Sequence, residues 1–199
     1  MQEPSGDESK ISPALDARGR GILLAAVGLF VEKGFHQTSM RDIARAAGVS
    51  LGNLYNHYAG KTALIESVAV LEREEQAEFL TALEQPGDPV ETLLAFVDAY
   101  VAWAAKPENV VLDAEITAEI YRNPDSAPAF LDNRRRMEGA LGDVIRRIDT
   151  DGAESPAARA ALILDLLTTS AQRAAFLSGR QSAEIKRSVR AAVASLLGL

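Results

Sequence analysis

Apolar residues recur at helical spacing along most of the chain. Ile22, Ala26, Leu29 and Phe30 lie three or four residues apart, which predicts an amphipathic helix from Arg18. Further helical patterns cover 61–83, 90–105, 109–121, 125–149, 156–178 and 182–197, and breaks rich in Pro, Gly and Asp separate them. No segment shows the period-two alternation of a strand. The pattern therefore predicts an all-α fold of about nine helices, with three or four in a small N-terminal head and the rest in a larger body.

Two short helical patterns flank the tripeptide Gly48-Val49-Ser50. Ser39 and Ser50 are suitable N-caps for these helices, and Gly48 suits the left-handed conformation that a sharp turn requires. In the second helix Leu54 and Tyr58 are four residues apart, so we expect them to face inward. More outward positions remain for Asn53, Asn56 and His57. A supporting helix, a tight turn and a short second helix form the helix-turn-helix that places side chains in the DNA major groove.

Net charge is −7, which is unusual for a DNA-binding protein, but the charge is unevenly distributed. Residues 1–16 are acidic, with one basic and four acidic side chains. Residues 17–61 hold six basic and two acidic side chains, and residues 62–199 hold 14 basic and 22 acidic ones. The basic part coincides with the predicted helix-turn-helix, as contact with phosphates requires. The acidic remainder indicates a different task for the rest of the chain.

Composition restricts the other classes of function. The chain has 199 residues, 47% of them hydrophobic, which is enough for one or two cores, and it has no cysteine. We expect a soluble cytoplasmic protein, because no signal peptide and no apolar run of about 20 residues is visible. With only His36 and His57 and no thiols, neither a metal site nor a cofactor is expected.

The segment from Thr38 to Ser50 and the residues after it resemble the TetR family of one-component bacterial transcription regulators. The resemblance rests on TSMRDIARAAGVS at 38–50, on Gly52, Leu54-Tyr55, His57-Tyr58 and Lys61, and on the preceding helix with Gly34-Phe35. It covers about residues 16–76 and implies three parts: a flexible tail at 1–15, a DNA-binding domain at 16–76 with its motif at 39–58, and a ligand-binding and dimerisation domain at 77–199. Residues 118–124 also resemble a phrase of betaine-regulator-type members.

The family resemblance implies a homodimer that binds a palindromic double-stranded operator with one recognition helix from each head. It also implies a small-molecule effector that binds in the body and reorients the heads, so that DNA is released. A repressor is the expected function, and an activator of the same family is the alternative.

By the same resemblance, ten residues lie where the family contacts DNA: Thr38, Ser39, Arg41, Ser50, Gly52, Asn53, Tyr55, Asn56, His57 and Lys61. The chemistry of several fits this role. Exposed amides at the start of a helix bind phosphate, a glycine permits close backbone approach, and an asparagine amide pairs well with adenine. Lys61 is expected to clamp a phosphate. Leu51 departs from the polar or cationic residue that is common at its position, so no contact is assigned to it.

Candidate effector residues lie in the body. Phe96, Tyr100 and Trp103 share one helix face and are expected to line a pocket, although ordinary core packing explains each of them alone. Glu115 and Glu119 are four residues apart. If their face points inward they can hold a cationic or hydroxyl-bearing effector, and otherwise they are solvated surface charges.

The last two helices carry small and aliphatic side chains that predict a two-fold dimer interface, with packing inside one chain as the alternative. Such a dimer would place two recognition helices about 34–36 Å apart, in successive major grooves. The sequence offers little to other classes. It has no Glu-x-x-His motif, nucleophile elbow or phosphate loop, which disfavours a helical-bundle enzyme. A helical protein adaptor leaves the basic segment unexplained.

Overall fold

The computed structural model describes residues 16–148 and 155–199. These residues form nine α-helices and a short 3-10 turn, without a strand, which confirms the predicted all-α fold. The helices are α1 (Ala17–Lys33), α2 (Met40–Ala46), α3 (Leu51–His57), α4 (Lys61–Glu84), α5 (Pro89–Ala104), α6 (Pro107–Arg122), α7 (Ala127–Ile148), α8 (Pro156–Ala175) and α9 (Gly179–Leu196), and the turn at Pro124–Ser126 precedes α7. The expected tail at 1–15 lies outside the described residues. None of the described helices is long and apolar enough to cross a membrane.

The chain divides into two compact units, one ending at Leu64 and the other beginning at Ile65. We call them the head and the body. The boundary lies within α4, and so does the predicted division between residues 76 and 77. The functional domains expected at 16–76 and 77–199 remain a prediction.

Side-chain caps begin the three helices α1 to α3 of the head. The Asp16 carboxylate accepts a hydrogen bond from the Gly19 amide at the start of α1. Ser39 and Asp42 form a capping box on α2, and the Ser50 hydroxyl accepts from the Asn53 amide on α3. Each cap satisfies an amide that has no partner within its helix. The two serine caps confirm the predicted starts of α2 and α3.

The turn between α2 and α3 depends on Gly48. Its φ of 64° lies in the left-handed region that side chains rarely adopt, as predicted. The turn closes with a hydrogen bond of 3.0 Å from the Val49 amide to the Ala44 carbonyl. Leu54 and Tyr58 are then buried, which confirms the predicted inward face of α3.

Lys61 ties the start of α4 to the loop between α1 and α2. Its ammonium donates a hydrogen bond of 2.7 Å to the Phe35 carbonyl and lies 4.4 Å from the centroid of the Phe35 ring. The Phe35 ring in turn packs edge-on against Phe30 of α1. A cation that contacts both a carbonyl and an aromatic face stabilises the head from within.

Helices α5, α7, α8 and α9 supply most of the apolar core of the body. Phe96 and Val97 of α5, Leu141 and Ile145 of α7, and Ile163 of α8 belong to this core. Several small and aliphatic side chains that were expected at a dimer interface are part of it too: Ala160, Leu164, Ala171, Val189 and Val193. For these five residues the alternative of packing inside one chain is correct.

A buried amide joins α4 to α7 within the body. The Asn133 side chain donates to the Ala69 carbonyl at 2.7 Å and to the Glu72 carboxylate at 2.9 Å, and it accepts from Arg73 at 2.9 Å. Arg73 also pairs with Asp132 at 2.5 Å. Because each polar atom of the Asn133 amide has a partner, the burial of this residue costs little and fixes the register of the two helices.

Glu72 is a carboxyl group held among neutral partners. Burial raises its pKa, and the nearby charge of Asp113 acts in the same direction, whereas hydrogen bonds from Asn133 and Gln76 oppose the shift. Among the described residues, these two amides are its hydrogen-bond donors. The ionised form of Glu72 therefore costs folding free energy.

We predict that Glu72→Gln raises the free energy of unfolding at pH 7. The raised pKa means that the folded chain binds a proton more tightly than the unfolded chain does. Wild-type stability therefore falls as pH rises from the ordinary glutamate range through the raised pKa. Glutamine removes this term, so its curve of stability against pH is flatter. Urea unfolding at several pH values measures the effect, with Glu78→Gln as the exposed control on α4, and parallel curves for wild type and Glu72→Gln would contradict it.

We predict that Lys61→Met lowers the free energy of unfolding of the head by about 1–3 kcal/mol, the range for hydrogen bonds to charged groups. Methionine keeps the packing of the side chain over Phe35 but removes the charge and the hydrogen bond to the carbonyl. Thermal unfolding measures the loss, and Lys186→Met at an exposed site of α9 is the control. Equal melting temperatures for the two variants would show that the contact contributes nothing.

Candidate DNA-binding and effector sites

The outer surface of α3 presents polar side chains to solvent. Tyr55 is 49% exposed, and Asn56 is exposed beside it. Gly52 faces open space, since a Cβ built there meets no atom within 4 Å. Ser50 begins the helix with its hydroxyl turned to the Asn53 amide. This surface can approach a duplex closely and offers an amide and a phenol to it.

Asn53 and His57 of α3 lie deeper than the sequence predicts. Asn53 is half-buried, and no described residue gives its side-chain oxygen a hydrogen-bond partner. His57 is also half-buried, and its Nδ1 lies 3.7 Å from the Asp16 carboxylate at the start of α1. Asn53 and His57 are therefore less exposed than predicted. Tyr55 and Asn56 are the more exposed of the four polar side chains that were predicted to contact DNA from this helix.

Around the start of α2 the predicted contact residues have different surroundings. Arg41 and Ser39 are exposed. Hydrogen bonds from Ser39 lower the pKa of Asp42, which keeps its carboxylate ionised in the capping box. Thr38 is different: it is 1% exposed, and its hydroxyl lies 2.8 Å from the Gly34 carbonyl and 3.3 Å from the Leu29 carbonyl. The expectation of a DNA contact from its side chain is not met, because the hydroxyl bonds to the end of α1.

Lys61 also has an internal role that the sequence did not predict. Its ammonium donates to the Phe35 carbonyl at 2.7 Å and to the His36 carbonyl at 3.5 Å, which occupies two of its three donors. Arginines of the head are exposed on α1 and α2: Arg18, Arg20, Arg41 and Arg45. These side chains supply the positive charge that the sequence places in this segment.

In the body, an aromatic cluster joins α4 and α5. The Phe79 ring lies 5.8 Å from Tyr100 and 5.7 Å from Trp103, and these two rings are 5.6 Å apart. Tyr100 and Trp103 are half-buried, so they can line a site. Phe96 is 2% exposed and belongs to the apolar core, which corrects its expected place in a pocket wall.

Carboxylates other than the predicted ones contact this aromatic cluster. Glu75 accepts a hydrogen bond of 3.1 Å from the Trp103 indole. Burial, followed by the charges of Glu72 and Asp113, raises the pKa of Tyr100, whose hydroxyl lies 3.4 Å from that of Thr168. Burial also raises the pKa of Asp113, which accepts a hydrogen bond from Gln172. The Tyr100 ring therefore lies in a field of negative charge.

The two glutamates predicted on α6 differ in exposure. Glu119 is 7% exposed, so it faces the interior, whereas Glu115 is half-buried. Described residues include no group of three or more metal-ligating side chains. Glu119 therefore faces inward, as the predicted contact with an effector requires.

Sequence reasoning missed several polar residues that the structure buries. Glu72 and Gln76 continue the apolar stripe of α4 through Val68 and Ala69, at spacings of three and four. The sequence could have predicted their burial, because polar residues on an apolar stripe occupy core positions, where they need hydrogen-bond partners. The hydrogen bond from the Tyr58 hydroxyl to the Gly19 carbonyl gave no such signal, because these two residues are 39 positions apart in the sequence.

Comparison with known proteins identifies the family. Residues 22–68 match the bacterial regulatory proteins of the tetR family. The HTH-type transcriptional regulator UidR of Escherichia coli K12 is 31% identical over 150 residues, which cover 73% of this chain and 75% of UidR. The HTH-type transcriptional repressor KstR2 of Rhodococcus jostii is 38% identical over 61 residues, or 28% of this chain and 30% of KstR2. The resemblance of residues 118–124 to betaine-regulator-type proteins is not tested by these matches and stays a prediction.

Comparison with solved structures supports the same family. GusR of Salmonella enterica superposes with a TM-score of 0.74 at 25% identity, over 92% of this chain and 96% of GusR. The relatives are transcription regulators, which excludes the enzyme alternative. An N-terminal helix-turn-helix with an exposed polar recognition surface thus occurs in a chain whose fold and sequence match those of such regulators. The chain belongs to the TetR family and is a DNA-binding transcription regulator.

Proposed function

We propose that the protein is a repressor that binds a palindromic operator as a homodimer and is released by a small-molecule effector. The observation that carries the DNA-binding part is the surface of α3, where Tyr55 and Asn56 are exposed on a capped helix within the basic segment. In this proposal Asn56 contacts a base edge, and Tyr55, Ser50 and Arg41 contact phosphates. The name of KstR2, a repressor similar in its N-terminal part, supports the sign of regulation.

The proposed dimer uses α8 and α9, through side chains that the core of one chain leaves exposed. Leu162 of α8 is 58% exposed, Phe176 directly after α8 is 83% exposed, and Leu196 of α9 is also exposed. A groove of about 690 Å³ lies between the two helices and includes Leu166, Phe176 and Ile185. Large apolar side chains clustered on a surface are typical of association sites. A second copy of the chain covers this face in the proposed homodimer.

Chemistry of the body favours an effector that carries positive charge or donates several hydrogen bonds. Tyr100 and Trp103 provide aromatic faces, and Glu72 and Asp113 are carboxylates with raised pKa values. Among the described residues, the hydrogen-bond donors to these two carboxylates are neutral amides. A cation placed here would relieve the cost of burying the Glu72 charge, would pair with Asp113 and would contact the rings favourably. Glu119 and Glu115 on α6 remain proposed contacts of the same effector.

We predict that Asn56→Ala weakens binding to the selected operator by about 1–3 kcal/mol and leaves binding to unrelated duplex unchanged, because it removes a base contact. Fluorescence anisotropy with both duplexes at one salt concentration measures the two affinities. Gln85→Ala, an exposed amide between α4 and α5, is the control.

Arg41→Gln tests a proposed phosphate contact, for which we expect a different result from that of Asn56→Ala. It should weaken binding on every duplex and lower the slope of log K against log salt by about one unit. Arg136→Gln on α7 changes the net charge equally and should leave the slope unchanged. If Asn56→Ala lost affinity equally for both duplexes, the base contact would be wrong.

We predict that compounds able to release the operator also change the fluorescence of Trp103. This residue is the only tryptophan of the chain, so its emission reports on one place. Amine-bearing compounds should be more effective than carboxylate-bearing compounds of the same size, and Trp103→Ala should respond at higher concentrations. A releasing compound that leaves both the emission and the response of Trp103→Ala unchanged would show that the effector binds elsewhere.

A further inference from the structure

The first turn of α1 meets the end of α3 at Gly19. The Tyr58 hydroxyl, directly after α3, donates a buried hydrogen bond of 2.9 Å to the Gly19 carbonyl. Asp16 accepts a bond of 2.6 Å from the Gly19 amide and lies 3.7 Å from the Nδ1 of His57. We call these four residues the α1–α3 clasp. They link the start of the described chain to the helix that presents Tyr55 and Asn56.

A side chain at position 19 would crowd the Asp16 carboxylate of the clasp. A Cβ on Gly19 would lie 3.0 Å from the Asp16 carboxylate oxygen, 3.5 Å from the His57 Nδ1 and 3.5 Å from the Tyr58 hydroxyl. Gly19 lies within regular helix, so the tight contact with the Asp16 oxygen distinguishes this position, and backbone conformation does not. Gly21 of the same helix shows the contrast, since a Cβ there meets no atom within 4 Å.

The Tyr58 hydroxyl remains a hydrogen-bond donor under physiological conditions. Burial, and then the charge of Asp16, raise its pKa above the ordinary tyrosine value. The phenol is therefore protonated, and its partner is a carbonyl that can only accept. The bond joins residues 39 positions apart and is itself buried, so water does not compete for it.

The clasp bears on DNA recognition because α3 is short. A helix of seven residues is marginal alone, and its orientation depends on what holds it. Its first turn is held by the Ser50 cap and the turn at Gly48, and its inner face by Leu54. The end of the helix is held at Tyr58. Tyr55 and Asn56 lie between these last two anchors, so the direction of their side chains follows the position of the helix end.

We propose that the α1–α3 clasp sets the orientation of the recognition helix and thereby determines how well the protein distinguishes its operator from other DNA. Asp16 and Gly19 lie before residue 22, where the match to the family begins, so they are not part of the segment that identified it. In this role Tyr58 and Gly19 are positioning residues. The proposal rests on the proposed reading of bases by α3 and extends it to residues that do not contact DNA.

Tyr58→Phe tests the proposal, because it removes the hydroxyl and keeps the ring. We expect the affinity for the selected operator to fall about threefold to tenfold, the range for one buried hydrogen bond. The salt slope should remain unchanged, because the charged phosphate contacts remain, and the affinity for unrelated duplex should fall less than the affinity for the operator. Tyr121→Phe, the same change at an exposed residue of α6, should leave all of these values at the wild-type level.

A matched pair of glycine variants gives a second test. Gly19→Ala should also lower the ratio of operator to unrelated-duplex affinity, because the new methyl group displaces the Asp16 carboxylate from its place beside the Gly19 amide and His57. Gly21→Ala on the same helix should leave this ratio unchanged and keep or raise the melting temperature.

Results against the proposal are distinct from results against the base-reading role of α3. Wild-type preference for the operator, measured in the same titrations, tests that role itself: if wild type shows no preference, the proposed function fails. If wild type prefers the operator and both Tyr58→Phe and Gly19→Ala keep the wild-type ratio, the clasp does not position α3. A loss of melting temperature with an unchanged ratio would likewise overturn the proposal and leave the clasp a purely structural contact.

Discussion

In the proposed mode of recognition, the orientation of one seven-residue helix is the constraint on which the rest depends. A helix of this length cannot hold itself in place, because few of its hydrogen bonds are internal and each of its ends leaves polar groups without helical partners. Leu54 therefore packs into the core of the head, Ser50 caps the first turn, and Tyr58 bonds to Gly19. What remains free to face a ligand is the opposite surface, with Tyr55 and Asn56. The packing of the inner face thus decides which side chains can reach DNA.

The body solves a different physical problem, the burial of polar groups. Asn133 satisfies the Ala69 carbonyl and one carboxylate at once, and this arrangement fixes α4 against α7. Burial raises the pKa of Glu72, whose hydrogen-bond donors are neutral amides, so the charge of Glu72 remains a cost in the structure. A buried carboxylate of this kind beside an aromatic cluster is typical of a binding site rather than of an apolar core. The contrast between the fully hydrogen-bonded Asn133 amide and the Glu72 carboxylate supports the proposal that the effector binds in the body.

Local signals in the sequence predicted the head well. Ser39, Gly48 and Ser50 act through contacts within a few residues, so their caps and turn were readable, and the spacing of Leu54 and Tyr58 indicated the inner face. The buried position of Thr38 and the internal hydrogen bond of Lys61 could not be predicted, because their partners, the end of α1 and the loop at Phe35, are set by tertiary packing. In the body, periodicity placed Phe96 on the correct helix face but could not separate core from pocket. The sequence likewise could not show which small residues of α8 and α9 lie in the core of one chain, because close helix packing inside one chain and between two chains requires the same side chains.

The most direct test of the account is to select bound duplexes from a random-sequence library and to sediment the protein with the most enriched one. The account predicts an inverted repeat with half-sites separated by one helical turn of DNA, or a multiple of it, and an even number of chains on each duplex. A protein that stays monomeric at low ionic strength and enriches no sequence would contradict it.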